Sequence, residues 1–135
     1  MTHVLDTSAL LAHYLGEPGA ERVQRLFEDE MIEVGVSVLS LYEFELRLHQ
    51  LGMSAPDRAA EVNRYRVLLH EVVPVDETVR REAIRLRTSV TAHVAAMDTL
   101  IAATAAVKNA TWVHRDPHFV SLPTTVLAQE VLPAK

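Results

Sequence analysis

The sequence predicts an α/β fold, a three-layer sandwich with a short, mostly parallel sheet of four to five strands between helices. Three observations carry that expectation. Short apolar runs alternate along the chain with longer segments of helical period, the order that produces parallel strands joined by helical crossovers. Residues 98–107 are apolar on nearly every side of a helix and so belong inside. At 135 residues, 49% apolar and 23% charged, the chain is long enough to enclose such a helix within one domain, taken as 1–135.

Val4 and Leu5 suit a short buried strand, and Asp6 interrupts them. Thr7 and Ser8 then offer a helix start ahead of Ala9, Leu10, Leu11 and Ala12. Residues 16–19 (GEPG) make a turn. Ala20, Val23, Leu26 and Phe27 follow with helical spacing, Glu21, Arg22, Gln24 and Arg25 lying outside. Residues 33–37 (EVGVS) read as a second strand. Leu41, Phe44, Leu48 and Leu51 mark a third helix that Gly52 stops, and Ser54 with Pro56 opens a fourth through Val62, Tyr65 and Leu69.

Residues 71–75 (EVVPV) form a third strand, which Pro74 assigns to a sheet edge. Asp76 caps a helix whose stripe is Val79, Ala83, Leu86 and Val90. After the apolar helix, residues 111–113 (TWV) make a fourth strand and residues 124–127 a fifth, following Pro123. No internal repeat or interdomain linker interrupts this order.

The composition narrows function by exclusion. Without cysteine there is neither a disulfide framework nor a thiolate metal site, which suits the cytoplasm. No basic segment followed by an apolar run opens the chain, so no signal peptide is expected. The run 100–107 is too short to span a bilayer, so no membrane association is expected. A net charge of −5 argues against gripping nucleic acid by bulk electrostatics. Phosphates met through a metal ion and a local basic face stay compatible with it.

Four acids then stand out: Asp6, Glu43, Asp98 and Asp116. Each has an ordinary structural account. Asp6 can cap the first helix, and Ser40 with Glu43 has capping-box spacing. Glu43 also precedes Arg47 by four residues, an ion-pair spacing. Asp98 precedes an apolar helix as a cap does, and Asp116-Pro117 is a cap followed by proline at the first helical position.

Topology makes the joint account stronger. In a parallel sheet, Asp6 and Asp116 both leave strands at the carboxyl edge, where open α/β sheets bind ligands. The helices carrying Glu43 and Asp98 approach the same rim. Carboxylates gathered there repel one another unless a cation neutralises them, and hard divalent ions such as Mg²⁺ or Mn²⁺ prefer oxygen ligands. One or two such ions promote phosphodiester hydrolysis by activating water, with no serine or cysteine nucleophile. Thr7 and Ser8 can support ligating carboxylates by hydrogen bonds, or serve simply as helix-start hydroxyls.

Four segments joined in this order resemble a PIN-domain ribonuclease, most closely a VapC-type toxin of bacterial toxin–antitoxin pairs. They are VLDTSAL at 4–10, SVLSLYE at 37–43, DTLIAATA at 98–105 and VHRDPHF at 113–119, spanning nearly the whole chain. The resemblance implies an α/β/α PIN-like sandwich and Mg²⁺- or Mn²⁺-dependent endonuclease activity on RNA. Asp6, Glu43, Asp98 and Asp116 fall on the family's acidic positions, the first three as metal ligands and the fourth at a more variable one. The resemblance further implies a homodimer silenced by a small VapB-type antitoxin whose tail occupies the active-site groove. His114 departs from the pattern, since many members carry Thr or Ser there.

Arg115, beside Asp116, is a candidate for substrate phosphate or for a plain ion pair. Arg80, Arg81, Arg85 and Arg87 interleave with Glu77 and Glu82 and read as a solvated, salt-bridged face rather than an RNA track. His114 and His118 flank Asp116, but no third soft ligand supports zinc, and spacing alone gives them no proton-transfer role. Tyr42, Tyr65 and Trp112 read as core or interface packing rather than base stacking. The rival reading of the whole chain is a catalytically silent PIN-like module that binds protein or RNA, its acids acting as caps. A phosphatase with Asp6 as nucleophile fits worse, because position 8 is Ser where a second aspartate is expected. A nucleotide-binding fold fits worse still, since none of the four glycines makes a Gly-rich strand-to-helix turn.

Overall fold

The computed structural model describes residues 1–122 and 127–135. Five strands form one sheet: β1 His3–Leu5, β2 Val34–Ser37, β3 Glu71–Val73, β4 Thr111–His114 and β5 Gln129–Val131. Their order is β3-β2-β1-β4-β5, and every neighbouring pair is parallel. β1 lies at the centre, His3 facing Val34 on one side and Thr111 on the other. β3 is an edge strand, as Pro74 foretells, for a proline cannot donate to a further ladder.

Successive residues of a strand point to opposite faces, and the core divides accordingly. Val4 and Trp112 face one cluster, with Val79 and Leu86 of α5 (Glu77–Thr88) and Ile101 and Ala102 of α6 (Ala96–Val107). Leu5, Val36 and Val113 face the other. There they meet Leu10 of α1 (Thr7–Leu15), Leu26 of α2 (Ala20–Glu28), Phe44 of α3 (Val38–Gln50) and Tyr65 of α4 (Ala55–Leu68). Covered on both faces, the sheet carries continuous apolar strands, as parallel sheets do. α6 is enclosed as its composition requires, with Thr99 and residues 101–105 buried.

Several boundaries differ from the sequence reading for physical reasons. α3 begins at Val38, capped by Ser37, whose Oγ accepts from the Leu39 amide at 3.1 Å. Ser40 is therefore inside the helix, and the Ser40–Glu43 capping box does not form. No Glu43–Arg47 ion pair occurs among the described residues. α6 starts at Ala96 with Ala95 at its cap, so Asp98 is the third helical residue and caps nothing with its side chain. Of the expected fifth strand, residues 124–126 lie outside the described residues; the fifth strand described is Gln129–Val131. No helix of the described residues is long and apolar enough to cross a membrane.

Candidate active site

All five strands run the same way, so their carboxyl ends share one rim. β1 delivers Asp6 there. The Asp6 amide still donates to the Val113 carbonyl at 2.9 Å, extending the β1–β4 ladder by one bond. The next residues turn into α1, and Asp6 caps it. Its Oδ2 accepts from the Ser8 amide at 3.0 Å and from the Ser8 hydroxyl at 2.7 Å. Asp6 Oδ1, equally enclosed, has no hydrogen-bond partner. A buried carboxylate oxygen left without a donor is costly, and it is the position a cation would neutralise.

Ser8 does a second job. Its hydroxyl oxygen accepts from the Arg115 amide at 3.2 Å, fastening the loop after β4 to the start of α1. Thr7 reaches the other way and donates from Oγ1 to Glu43 Oε1 at 2.5 Å. Both hydroxyls thus hold candidate carboxylates. Asp98 comes from the opposite layer, in the first turn of α6.

Electrostatics report how near these groups lie. The Asp98 carboxyl is raised from its ordinary value to about 6, first by burial and then by the charges of Asp6, Glu43 and Asp116. Burial also raises Asp6; the Ser8 hydrogen bonds oppose that effect and Glu43 adds to it. The four sequence-predicted acids therefore occupy one electrostatic neighbourhood. Among the described residues they do not close into a ready group of three metal ligands. Like charges without a counter-ion repel, and Thr7 and Ser8 each hold one carboxylate in place.

The last loop answers what His114 does in place of a hydroxyl residue. His114 is fully buried against Trp112 and Phe119, with ring centroids at 4.5 and 5.2 Å. Its Nδ1 accepts from the Asp116 amide at 3.1 Å, and Nε2 lies 2.7 Å from Gln129 Oε1. Burial lowers its pKa, against opposing effects of Gln129 and Asp116. Both His114 ring nitrogens are thus engaged in hydrogen bonds within the protein, and the ring is enclosed. Of His118 only the backbone is described, in the 3₁₀ turn Pro117–Ser121.

Arg115, for which the sequence leaves phosphate contact and a plain ion pair equally open, is engaged with the α1–α2 turn. Its Nη1 donates to Glu17 Oε1 at 3.0 Å and its Nη2 to the Pro18 carbonyl at 2.8 Å, an ion pair with Glu17 rather than with the neighbouring Asp116. The α5 arginines agree with a salt-bridged face, Arg80 and Arg81 on Glu77 and Arg85 on Glu82. Tyr65 and Trp112 are core residues, whereas Tyr42 is 60% exposed. Gln129 escaped the sequence reading because no motif spacing links it to His114; only the β4–β5 pairing brings them together.

Residues 3–124 match the family model described as "PIN domain". No curated protein matches the sequence. Among solved structures, a DNA-bound VapBC complex from Salmonella typhimurium aligns with TM-score 0.79 at 20% identity, covering 96% of this chain and 97% of that one. VapBC-5 of Mycobacterium tuberculosis, a toxin–antitoxin family member, aligns with TM-score 0.60 at 25% identity, over 98% of each chain. The M. tuberculosis toxin VapC20, which cleaves the sarcin–ricin loop, aligns with TM-score 0.65 at 16% identity, over 88% of this chain and 93% of that one.

Proposed function

The chain belongs to the PIN-domain family, and from that premise we propose that it is a Mg²⁺- or Mn²⁺-dependent endoribonuclease, the toxin of a toxin–antitoxin pair. One observation carries this reading: at the rim where Thr7 holds Glu43, Asp6 Oδ1 is buried without a partner, and the charges of Asp6, Glu43 and Asp116 add to burial in raising Asp98 to about 6. Such an array destabilises its own fold, and a bound divalent ion turns that repulsion into attraction. The donor set fits the ion, since four carboxylates supply only oxygen and Asp6 Oδ1 is buried without a partner. Asp6, Glu43 and Asp98 would hold it, with Asp116 at the margin. When bound, the ion supplies Lewis acidity toward a phosphodiester and lowers the pKa of coordinated water.

The chain's own residues prepare that chemistry. Ser8 fixes one oxygen of Asp6 and leaves the other unengaged. Thr7 orients Glu43 across a separation of 36 residues. Asp98, raised to about 6, holds a proton into that range and would have to be deprotonated to hold the ion.

The substrate is RNA and the silencing partner a VapB-type antitoxin. The fold shared with the VapBC complexes supports that partner, and the fold shared with VapC20 supports RNA cleavage. We assign a single PIN domain over 1–135, a homodimer and a cytoplasmic location on the same basis. The silent binding module keeps one observation in its favour, the lack of a preformed three-ligand group among the described residues. Incubating the purified protein with RNA and Mn²⁺, beside Asp6→Asn and Asp98→Asn, separates the two. Cleavage by wild type alone is expected, with circular dichroism unchanged. No cleavage by any of the three, and no thermal stabilisation of wild type by Mn²⁺, would establish the module.

A further inference from the structure

The loop after β4 carries Asp116 at the acidic rim, yet Asp116 lies between a bend at Arg115 and a 3₁₀ turn, where the backbone has few regular bonds. What holds it is a chain of part-buried hydrogen bonds whose direction can be worked out. A backbone amide only donates, so His114 Nδ1, 3.1 Å from the Asp116 nitrogen, is the acceptor. Gln129 Nε2 donates to the Phe119 carbonyl at 3.1 Å and to the Leu122 carbonyl at 3.3 Å. That fixes the amide orientation and turns Oε1 toward the imidazole. His114 Nε2 therefore carries the proton and donates to Oε1 at 2.7 Å. Every bond in the chain satisfies the next, with a single tautomer and a single amide orientation.

The geometry points to His114 and Gln129 as a positioning pair for Asp116: β5, through Gln129, sets the histidine tautomer, and the histidine fixes the Asp116 backbone at the acidic rim. This rests on the nuclease reading of that rim. A threonine or serine at position 114 would lack the reach from β4 to Gln129, so in this chain β5 is tied to the site directly. Gln129 also holds the 3₁₀ turn that follows Asp116, at both Phe119 and Leu122. Neither residue touches the reacting atoms; both act through Asp116.

The test begins with the unaltered protein. Nitrogen NMR of the histidine ring should show Nδ1 unprotonated and Nε2 protonated, and the Asp116 amide should be protected from hydrogen exchange. The reverse tautomer, or an Asp116 amide exchanging like an open loop, overturns the proposal without reference to activity. Variants then measure the consequence. His114→Leu removes the acceptor, while His114→Asn keeps one, because Asn Oδ1 stands as many bonds from Cα as Nδ1 does. In calorimetric titration, His114→Leu should weaken Mn²⁺ binding about tenfold and His114→Asn should restore most of it. In an Asp116→Ala background the His114→Leu loss should vanish; an undiminished loss there would show general structural damage and defeat the pairing. Failure of wild type to bind Mn²⁺ would refute the nuclease reading instead, leaving the tautomer and exchange results to judge the pair alone.

Discussion

Replacing Asp98 with asparagine should make the protein more stable and, on the proposed function, abolish cleavage of RNA. Asp98 is raised from 3.8 to about 6, a shift of about 2 pH units, for which full conversion gives about 3 kcal/mol. Asp98 is only partly buried, and solvent screening reduces the realistic penalty to about 1–2 kcal/mol. The sign follows from proton counting. Between the two pKa values the folded protein binds more protons at this group than the unfolded chain, so its contribution to stability falls as pH rises. The penalty is absent below about pH 4, grows through the interval and is complete above about pH 6. Urea denaturation in metal-free buffer is the assay. At pH 7.5 Asp98→Asn should exceed wild type by about 1–2 kcal/mol, and near pH 3.5 the two should coincide. Adding Mn²⁺ at pH 7.5 should close or reverse the gap, because only wild type retains the carboxylate proposed to hold the ion. A variant no more stable than wild type at pH 7.5, or a pH-independent difference, would refute the reasoning.

Three further changes test other parts of the structure. Ser8→Ala removes the hydroxyl that joins Asp6 to the Arg115 amide, and should cost about 1–3 kcal/mol by urea denaturation and lower cleavage about tenfold. Tyr65→Phe deletes the hydroxyl that bonds His13 Nδ1 at 2.7 Å under a fully buried ring; a loss of about 1 kcal/mol is expected, with cleavage unchanged. Glu130→Gln weakens the two-bond clamp that Arg22 makes on β5, at 2.8 and 3.0 Å, and should cost no more than about 1 kcal/mol, less at high salt, because both side chains are partly exposed.

The fold was legible where a residue's character depends on its own neighbours in the chain. Pro74 marked the edge strand, and the apolar run after Asp98 marked the enclosed helix. The acids at 6 and 116 pointed to one rim because strand direction settles where a strand's last residue goes. Other choices needed three dimensions. Ser37 and Ser40 are both capable caps, and only the end of β2 at Ser37 decides between them. Asp98 looked like a cap, but the helix starts two residues earlier, at Ala96. Arg115 sat beside an acid in sequence, while its guanidinium meets Glu17 across 98 residues. Gln129 carried no local signal at all, because its partner is a histidine on the neighbouring strand.

The placement of β1 between β2 and β4 has a consequence for biosynthesis. As the polypeptide leaves the ribosome, the central strand can pair early with β2, but its other edge stays open until β4 emerges from the final quarter of the chain. Asp6 and Glu43 can be neighbours by then, while Asp98 and Asp116 are still being made or have nothing to dock upon. A nascent chain thus cannot gather the four acids through most of its translation, and on the proposed function the interval in which an antitoxin would have to find it begins only as synthesis ends.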